Sequence, residues 1–488
     1  MASVPSISYS ITIRVDVDLR VAGGSAVSRL TRAVEESGGV VTALDVTASE
    51  HEHLRIDVTC AATDTEHAGL LTEALAAVEG VTIGKVSDRT FLVHLGGKIE
   101  INPKVPIRNR DDLSMIYTPG VARVSLALVE NPDDARRLTI KRNTVAVVTD
   151  GSAVLGLGNL GAIPALPVME GKAALFKRFA GIDAFPICLD TQDVDEIVRT
   201  VELIAPVFAG INLEDISAPR CFEIERRLRA SLDIPVFHDD QHGTAIVVLA
   251  ALINALKVVG KALPDVRIVL SGAGAAGMAI LDVLLAAGAR HVIASDKDGV
   301  IHRARPGLSP ELVPLAERTN ADGRTGVLRD VLPGADVFIG VSAPNILTGD
   351  DIATMAAGAV VFALANPVPE VDPVAAAEHA TVVASGRSDL PNQINNVLAF
   401  PGVFRGLLDA ASHTITIEML LAAARALAQV VTPDELNAAY IVPSVFHPDV
   451  ASTVAAAVSK AVRDSGSSVA SFPDGAQPDG TFPEPTQV

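Results

Sequence analysis

Apolar and polar positions along this chain change their period in a regular order. Through SITIRVDV, ending at Val17, apolar residues fall at every second position, the signature of a strand with one buried face. SAVSRLTRAVEESGG then spaces them three and four apart and stops at Gly38-Gly39, as an amphipathic helix does. GVVTALDVTA and HLRIDVTCAA return to strand patterns, EHAGLLTEALAAVEG to a helix, and VTIGKVSDRTFLVH closes the series as a strand. Residues 8–90 therefore predict a βαββαβ unit of ferredoxin-like α+β type, assigned to a first domain of residues 1–92. Residues 93–110, with HLGGKIEINPKVPIRNR, read as a linker.

Beyond the linker, short apolar runs alternate with helical segments. A second α/β region is expected over residues 111–240. A third is expected over 241–465, where RIVLSG, HVIASD, DVFIGV, VVFALA and TVVASG supply strands. Alternating strands and helices predict parallel, doubly wound sheets, so the fold class is α/β behind an α+β front module. The tail at residues 466–488 is rich in Ser, Pro and Gly and predicts disorder.

Bulk properties remove several functions. A net charge of −19 and a pI near 5.0 argue against nucleic acid, whose backbone attracts basic surfaces. Cys60, Cys188 and Cys221 are scattered, odd in number and outside any CxxC spacing, which fits a reduced compartment without zinc or disulfides. MASVPSIS lacks a basic and apolar leader, and AIVVLAALINALKVVG, interrupted by Asn254 and Lys257, is too short to span a bilayer. A cytoplasmic protein is the expectation.

The candidate chemistry begins with two pairs of carboxylates. Glu214-Asp215 follows FAGINL and Asp239-Asp240 follows IPVFH, and each pair stands just before a segment with helical spacing. Ligands of open α/β sheets gather beyond the carboxyl ends of strands. Acids converging there would repel one another unless a hard divalent cation neutralised them, and oxygen donors suit Mg²⁺ or Mn²⁺. The competing reading is that acids simply favour helix N-termini.

Two stretches match GxGxxG. In SGAGAAGMAI, Gly272, Gly274 and Gly277, with Ala273, Ala275 and Ala276 between them, follow a strand and open a helix. Asp296 ends the next strand roughly 20 residues on, the context of a Rossmann dinucleotide site. Its carboxylate would accept from ribose hydroxyls and favour NAD, while Lys297 beside it leaves NADP open. The other match, Gly156, Gly158 and Gly161 in LGLGNLG, leads into Pro164 and Pro167 rather than a helix and reads as a loop that lets backbone approach a ligand.

Lys172 sits where a helix resumes after that loop, and near a cation its ammonium could become a base. Tyr117 is either a packing residue or a proton donor. His238 and His242 are four apart but lack the glutamate that a zinc helix needs. Asn366 and Asn395-Asn396 are amides able to hold a carboxylate or ribose, or else turn formers and caps.

Together YTPGVA, LGLGNLG, PVMEGKAALFK, GINLEDISAP, PVFHDDQHGTA, SGAGAAG and NQINNVLAFPGVFRG resemble the malic enzyme family of small prokaryotic type, over residues 100 to 460. The resemblance implies metal- and NAD-dependent oxidative decarboxylation of L-malate to pyruvate. It implies Lys172 as general base, Tyr117 as proton donor to C3, and Glu214, Asp215 and Asp240 as metal ligands. Asp239 becomes a partner of the lysine, and Asn366 and Asn396, with neighbouring Asn395, become substrate amides. Ala153 stands where larger eukaryotic members have an arginine that contacts malate, which leaves the holder of the C1 carboxylate open. The first ninety residues resemble an ACT module, which implies a small-molecule effector, and a homodimer is the default assembly. The rivals are an amino-acid dehydrogenase with an effector domain and a non-catalytic sensor of NAD and effector.

Overall fold

The structure, a computed structural model, describes residues 6–468, so the expected disordered tail lies outside the described residues from 469 onward. The chain divides into two compact units, residues 1–102 and 103–488.

In the first unit, strands β1 (Ser6–Asp18), β2 (Val40–Glu50), β3 (His53–Ala62) and β4 (Val81–Asp88) pair in the order β2-β3-β1-β4, with every paired neighbour antiparallel. Helices α1 (Ala26–Glu36) and α2 (Thr65–Ala76) complete the predicted βαββαβ order. Strand alternation explains the packing. Ile11, Ile13, Val15 and Val17 join Leu30, Val34, Leu71 and Leu75 in one core, while Arg14 on the opposite face pairs with Asp57 at 2.7 Å. One expectation fails at the end of this unit. RTFLVH is not strand but helix α3 (Arg89–His94), because the Asp88 side chain accepts from the Thr90 and Phe91 amides and caps a new helix.

The second unit holds two sheets. Strands β5 (Thr144–Thr149), β6 (Asp183–Cys188), β7 (Gly210–Leu213) and β8 (Val236–His238) form a parallel sheet in the order β6-β5-β7-β8. Strands β9 (Arg267–Ser271), β10 (His291–Asp296), β11 (Gly299–Val300), β12 (Val337–Gly340), β13 (Val360–Ala363) and β14 (Val382–Ser385) form the other, ordered β11-β10-β9-β12-β13-β14. This is the doubly wound order with its switch point between β9 and β12. Only the two-residue β11 runs antiparallel.

Helices α4 (Arg110–Ile116) and α5 (Val121–Glu130) precede β5 and have no buried residue. Helix α6 (Ala162–Ala180) corrects a second expectation, for it begins before Pro164 and contains Pro167. Pro164 lies in the first turn, where a missing N–H has no intrahelical partner, while Pro167 lies beyond it, inside the helix. Further on lie α7 (Arg220–Ser231), α8 (Asp239–Val259), α9 (Ala275–Ala286), α10 (Phe400–Asp409), α11 (Ile417–Val430) and α12 (Val450–Ser465). Helix α8 alone among the described residues is long and apolar enough to cross a membrane, yet most of it is buried inside the fold. Its interrupting Asn254 donates to the carbonyls of Ala428 and Ile441, both at 2.9 Å, and so tolerates full burial. One continuous apolar core runs from β5 and α6 through α8 to β9, β12 and the C-terminal helices.

Candidate active site

Because β7 and β8 are parallel neighbours, their carboxyl ends bring both acid pairs to one place. Glu214 and Asp215 leave β7, whereas Asp239 and Asp240 form the first turn of α8 rather than standing before it. One carboxylate oxygen from each of Glu214, Asp215 and Asp240 lies within 4.8 Å of the others. Asp215 adopts a left-handed backbone (φ 54), and its amide donates to Asp240 Oδ2 at 2.9 Å. Asn212 Nδ2 fixes Glu214 Oε2 at 2.8 Å.

Lys172 projects from the middle of α6 into this cluster, further inside the helix than its sequence context indicated. Its Nζ lies 2.5 Å from Asp239 Oδ2 and 2.9 Å from Glu214 Oε1, with the Phe400 ring centroid 4.2 Å away. Lys172 is 7 % exposed and Asp239 is 0 % exposed. Asn396 donates to Asp239 Oδ2 as well.

Burial would lower the Lys172 pKa, but the charges of Asp239 and Glu214 outweigh it and hold the ammonium above its usual value. Burial, and then the neighbouring acids, push the Glu214 carboxyl well above the usual range. Burial and Asp240 raise Asp215 to about 7. Asp239 is also raised, by burial first, against the pull of Lys172. Asp215 Oδ2 is buried with no hydrogen-bond partner among the described residues. An orphaned carboxylate oxygen within a self-repelling, oxygen-only donor set fits a hard divalent cation.

The other predicted residues fall less uniformly. Asn366 begins a cis peptide with Pro367, and its carbonyl oxygen would lie 2.6 Å from a Cβ placed on Gly156, so the LGLGNLG loop packs against it. Gly156, Gly158 and Gly161 all have positive φ, which explains the glycines without a dinucleotide. The Asn395 side chain accepts from the Val397 amide at 3.0 Å, so it acts as the turn former and Asn396 as the neighbour of the cluster. Tyr117 caps the carboxyl end of α4, is 67 % exposed and makes no side-chain hydrogen bond among the described residues.

Residues not singled out from the sequence also shape the site. Asp150, at the end of β5, is buried, pairs with Arg220 at 2.9 Å and accepts from Ser152. Glu225 is buried and pairs with His242 Nε2 at 2.7 Å. Polar residues inside apolar runs, such as Asn212 in GINL, were the signal available.

A cleft of about 930 Å³ opens at the switch point, lined by Gly272, Ala273, Gly274, Asp296 and Ser342 among others. A Cβ on Gly277 would meet Gly272 O at 1.9 Å, and one on Gly272 would meet Val341 O at 2.5 Å. A Cβ on Gly274 would meet nothing within 4 Å. Two glycines thus serve close packing, and the middle one leaves open the space a pyrophosphate needs at the N-terminus of α9. Ala275 and Ala276 begin that helix.

Comparison with known proteins agrees with this geometry. Residues 96–229 match the family described as malic enzyme, N-terminal domain, and residues 241–463 the malic enzyme NAD binding domain. The chain is similar to the NAD-dependent malic enzyme of Geobacillus stearothermophilus, 56 % identical over 96 % of this chain and 97 % of the relative. The NADP-dependent malic enzyme of Salmonella typhimurium is 44 % identical over 76 % of this chain and 51 % of its own length. Among solved structures, the NAD-dependent malic enzyme of Thermotoga maritima is 48 % identical, with a TM-score of 0.74 over 76 % of this chain and 99 % of that one.

Proposed function

We propose that this chain, which belongs to the malic enzyme family, oxidises and decarboxylates L-malate to pyruvate and CO₂ with reduction of NAD, aided by Mg²⁺ or Mn²⁺. The observation that carries the reading is the meeting of Lys172 with Glu214, Asp215, Asp239 and Asp240 at neighbouring strand ends. When bound, the cation polarises the substrate oxygen at C2 and the nicotinamide accepts the hydride. Glu214, Asp215 and Asp240 are the assigned ligands.

Lys172 takes the hydroxyl proton of malate, and Asp239 and Asn396 fix where its Nζ points. Glu214, as a ligand, would share its charge with the cation and balance the ammonium less, while Asp239 stays paired with Nζ. Tyr117 supplies the proton to C3. Asn366 and Asn396 orient the substrate carboxylates. Asp296 at the end of β10 supports the preference for NAD, as does the NAD dependence named for the 56 % identical relative.

Residues 1–92 are assigned to an ACT-like effector domain, 93–110 to a linker, 111–240 to the metal and substrate domain and 241–465 to the dinucleotide domain. The βαββαβ topology supports the first assignment. A homodimer is supported by the apolar surface of α4 and α5, where Met115, Leu126 and Val129 are exposed. Three free cysteines support a reducing cytoplasm.

The test is malate-dependent reduction of NAD and of NADP with and without Mn²⁺, following pyruvate release. Expected is Mn²⁺-dependent pyruvate formation with NAD preferred. Turnover indifferent to chelation, or oxidation without pyruvate, would sink the assignment and favour a metal-free dehydrogenase.

A further inference from the structure

Helix α8 starts without a side-chain cap, for His238, the residue before it, makes no capping bond to the amides of the first turn. That turn holds Asp239, Asp240, Gln241 and His242 in succession. Successive residues of an α-helix point about 100° apart, so Asp239 and Asp240 face one side and Gln241 and His242 roughly the opposite one. On the first side Asp239 meets Lys172 and Asn396, and Asp240 receives the Asp215 amide. On the other side both residues meet a single carboxylate. Gln241 Nε2 donates to Glu225 Oε2 at 3.2 Å, and His242 Nε2 lies 2.7 Å from Glu225 Oε1. Glu225 is 5 % exposed and sits in the middle of α7. One turn further along α7, Arg229 lies 3.7 Å from the same Oε1 and donates to the Ile415 carbonyl. Burial would raise the Glu225 carboxyl, but His242 and then Arg229 outweigh that and hold it below the usual range.

We infer that Glu225 is a positioning residue for the reaction: reaching across from α7, it fixes the rotation of the first turn of α8 and so sets where Asp239 holds Lys172 and where Asp240 stands in the acid cluster. The inference rests on the reading of that cluster as a base and cation site. Glu225 bonds Gln241 and His242, so its effect on the acids passes through the turn itself. Gly243 leaves that turn little slack. A Cβ there would lie 2.0 Å from Asp239 Oδ1, so the Asp239 carboxylate lies against its own helix and moves with it. Without Glu225, Gln241 and His242 lose a buried acceptor and the turn is held from the catalytic side only. A misplacement of about 1 Å costs on the order of 10²-fold in rate.

Steady-state kinetics and calorimetric Mn²⁺ titration of the full-length chain test this, with melting followed in parallel. Glu225→Ala should lower kcat for malate oxidation by about 10- to 100-fold and weaken Mn²⁺ by about tenfold, with the KM for NAD within about twofold. Glu225→Gln, which keeps the length and one acceptor oxygen, should recover part of both losses. His242→Ala should lower kcat on its own and add little to Glu225→Ala, because the two act through one bond. A Glu225→Ala protein that melts lower yet keeps the wild-type kcat and Mn²⁺ affinity while folded would overturn the inference, and so would fully additive losses in the double variant. Should Glu225→Ala fail to fold, Glu225→Gln and His242→Ala carry the test, and unchanged kcat and Mn²⁺ affinity in both overturn it. A wild type that binds Mn²⁺ but does not oxidise malate would strike the assigned reaction instead, while the Mn²⁺ titrations would still decide for Glu225.

Discussion

Replacing Asp240 by asparagine separates a cation site from a decorative cluster. Asparagine keeps the shape and an oxygen for the Asp215 amide, which now bonds Asp240 Oδ2 at 2.9 Å, but removes one charge. Ligand oxygens of the three acids lie within 4.8 Å of one another. At an effective dielectric near 20, two full charges at that spacing repel by about 3.5 kcal/mol, and Asp240 takes part in two of the three pairs. The Asp240 side chain is 35 % exposed, and the raised Glu214 and Asp215 carboxyls ease the repulsion by binding protons. Screening and proton uptake reduce the realised effect to roughly 1–2 kcal/mol. In EDTA the Asp240→Asn variant should therefore melt higher than the wild type. Mn²⁺ should act in the opposite sense. At about 100 times its Kd it stabilises the wild type by about 2.7 kcal/mol, and a roughly 100-fold loss of affinity leaves about 0.4 kcal/mol at the same concentration. Thermal melts of both proteins with EDTA and with graded Mn²⁺ read both effects. A variant that keeps the wild-type Mn²⁺ shift refutes ligation by Asp240, and one that melts lower in EDTA refutes the repulsion argument.

Lys172→Met should abolish malate oxidation yet leave 5′-AMP binding within about twofold; turnover within about tenfold of wild type would remove its role as base. Gly277→Ala should cost about 1–3 kcal/mol of stability, because its methyl group meets backbone, whereas Gly274→Ala should fold normally and bind NAD poorly; equal melting of the two variants contradicts the division of labour. Burial pushes the Cys60 thiol up to about 11 and Cys221 up to about 12, so thiolate is scarce at pH 8 and both should react with a disulfide reagent far more slowly than in denaturant. Cutting between residues 102 and 103, where the compact units divide, should leave basal turnover intact; a folded but inactive truncation would give the first unit a structural role.

The sequence exposed what is local or periodic. Period-two runs gave β1 to β3, glycine spacing gave the turn before α9, and the acid pairs marked the ends of β7 and β8. Capping blurred the boundaries. Asp88 turned an apparent strand into helix α3, and α6 began before Pro164, which its first turn accepts, and ran on through Pro167. Pairings between distant residues left no local trace. Asp150 meets Arg220 across 70 positions, and Glu225 meets His242 from a different helix, so neither could be read from spacing. Tyr117 is the reverse case: its motif is plain in the sequence, while its side chain stands exposed on α4, away from any hydrogen-bond partner among the described residues.

One short stretch links the acid cluster to the dinucleotide cleft. Glu214 and Asp215 close β7, and within a few residues Ala218, Pro219 and Phe222 line the cleft that also holds Gly272 and Asp296. The same stretch is tied at three points: Ala153 N to Asp215 O at 2.9 Å, Ser217 N to Ser152 Oγ at 2.9 Å, and Arg220 to Asp150. A loop so fastened cannot move the acids without moving one wall of the cleft. Occupancy of the two sites should therefore be thermodynamically coupled, and by linkage the effect is reciprocal. Cutting the tether with Asp150→Asn should weaken that coupling more than it weakens either ligand alone. Measuring the Mn²⁺ affinity with and without saturating NAD, in wild type and variant, decides the matter, and an unchanged ratio would show that the loop holds both sites without connecting them.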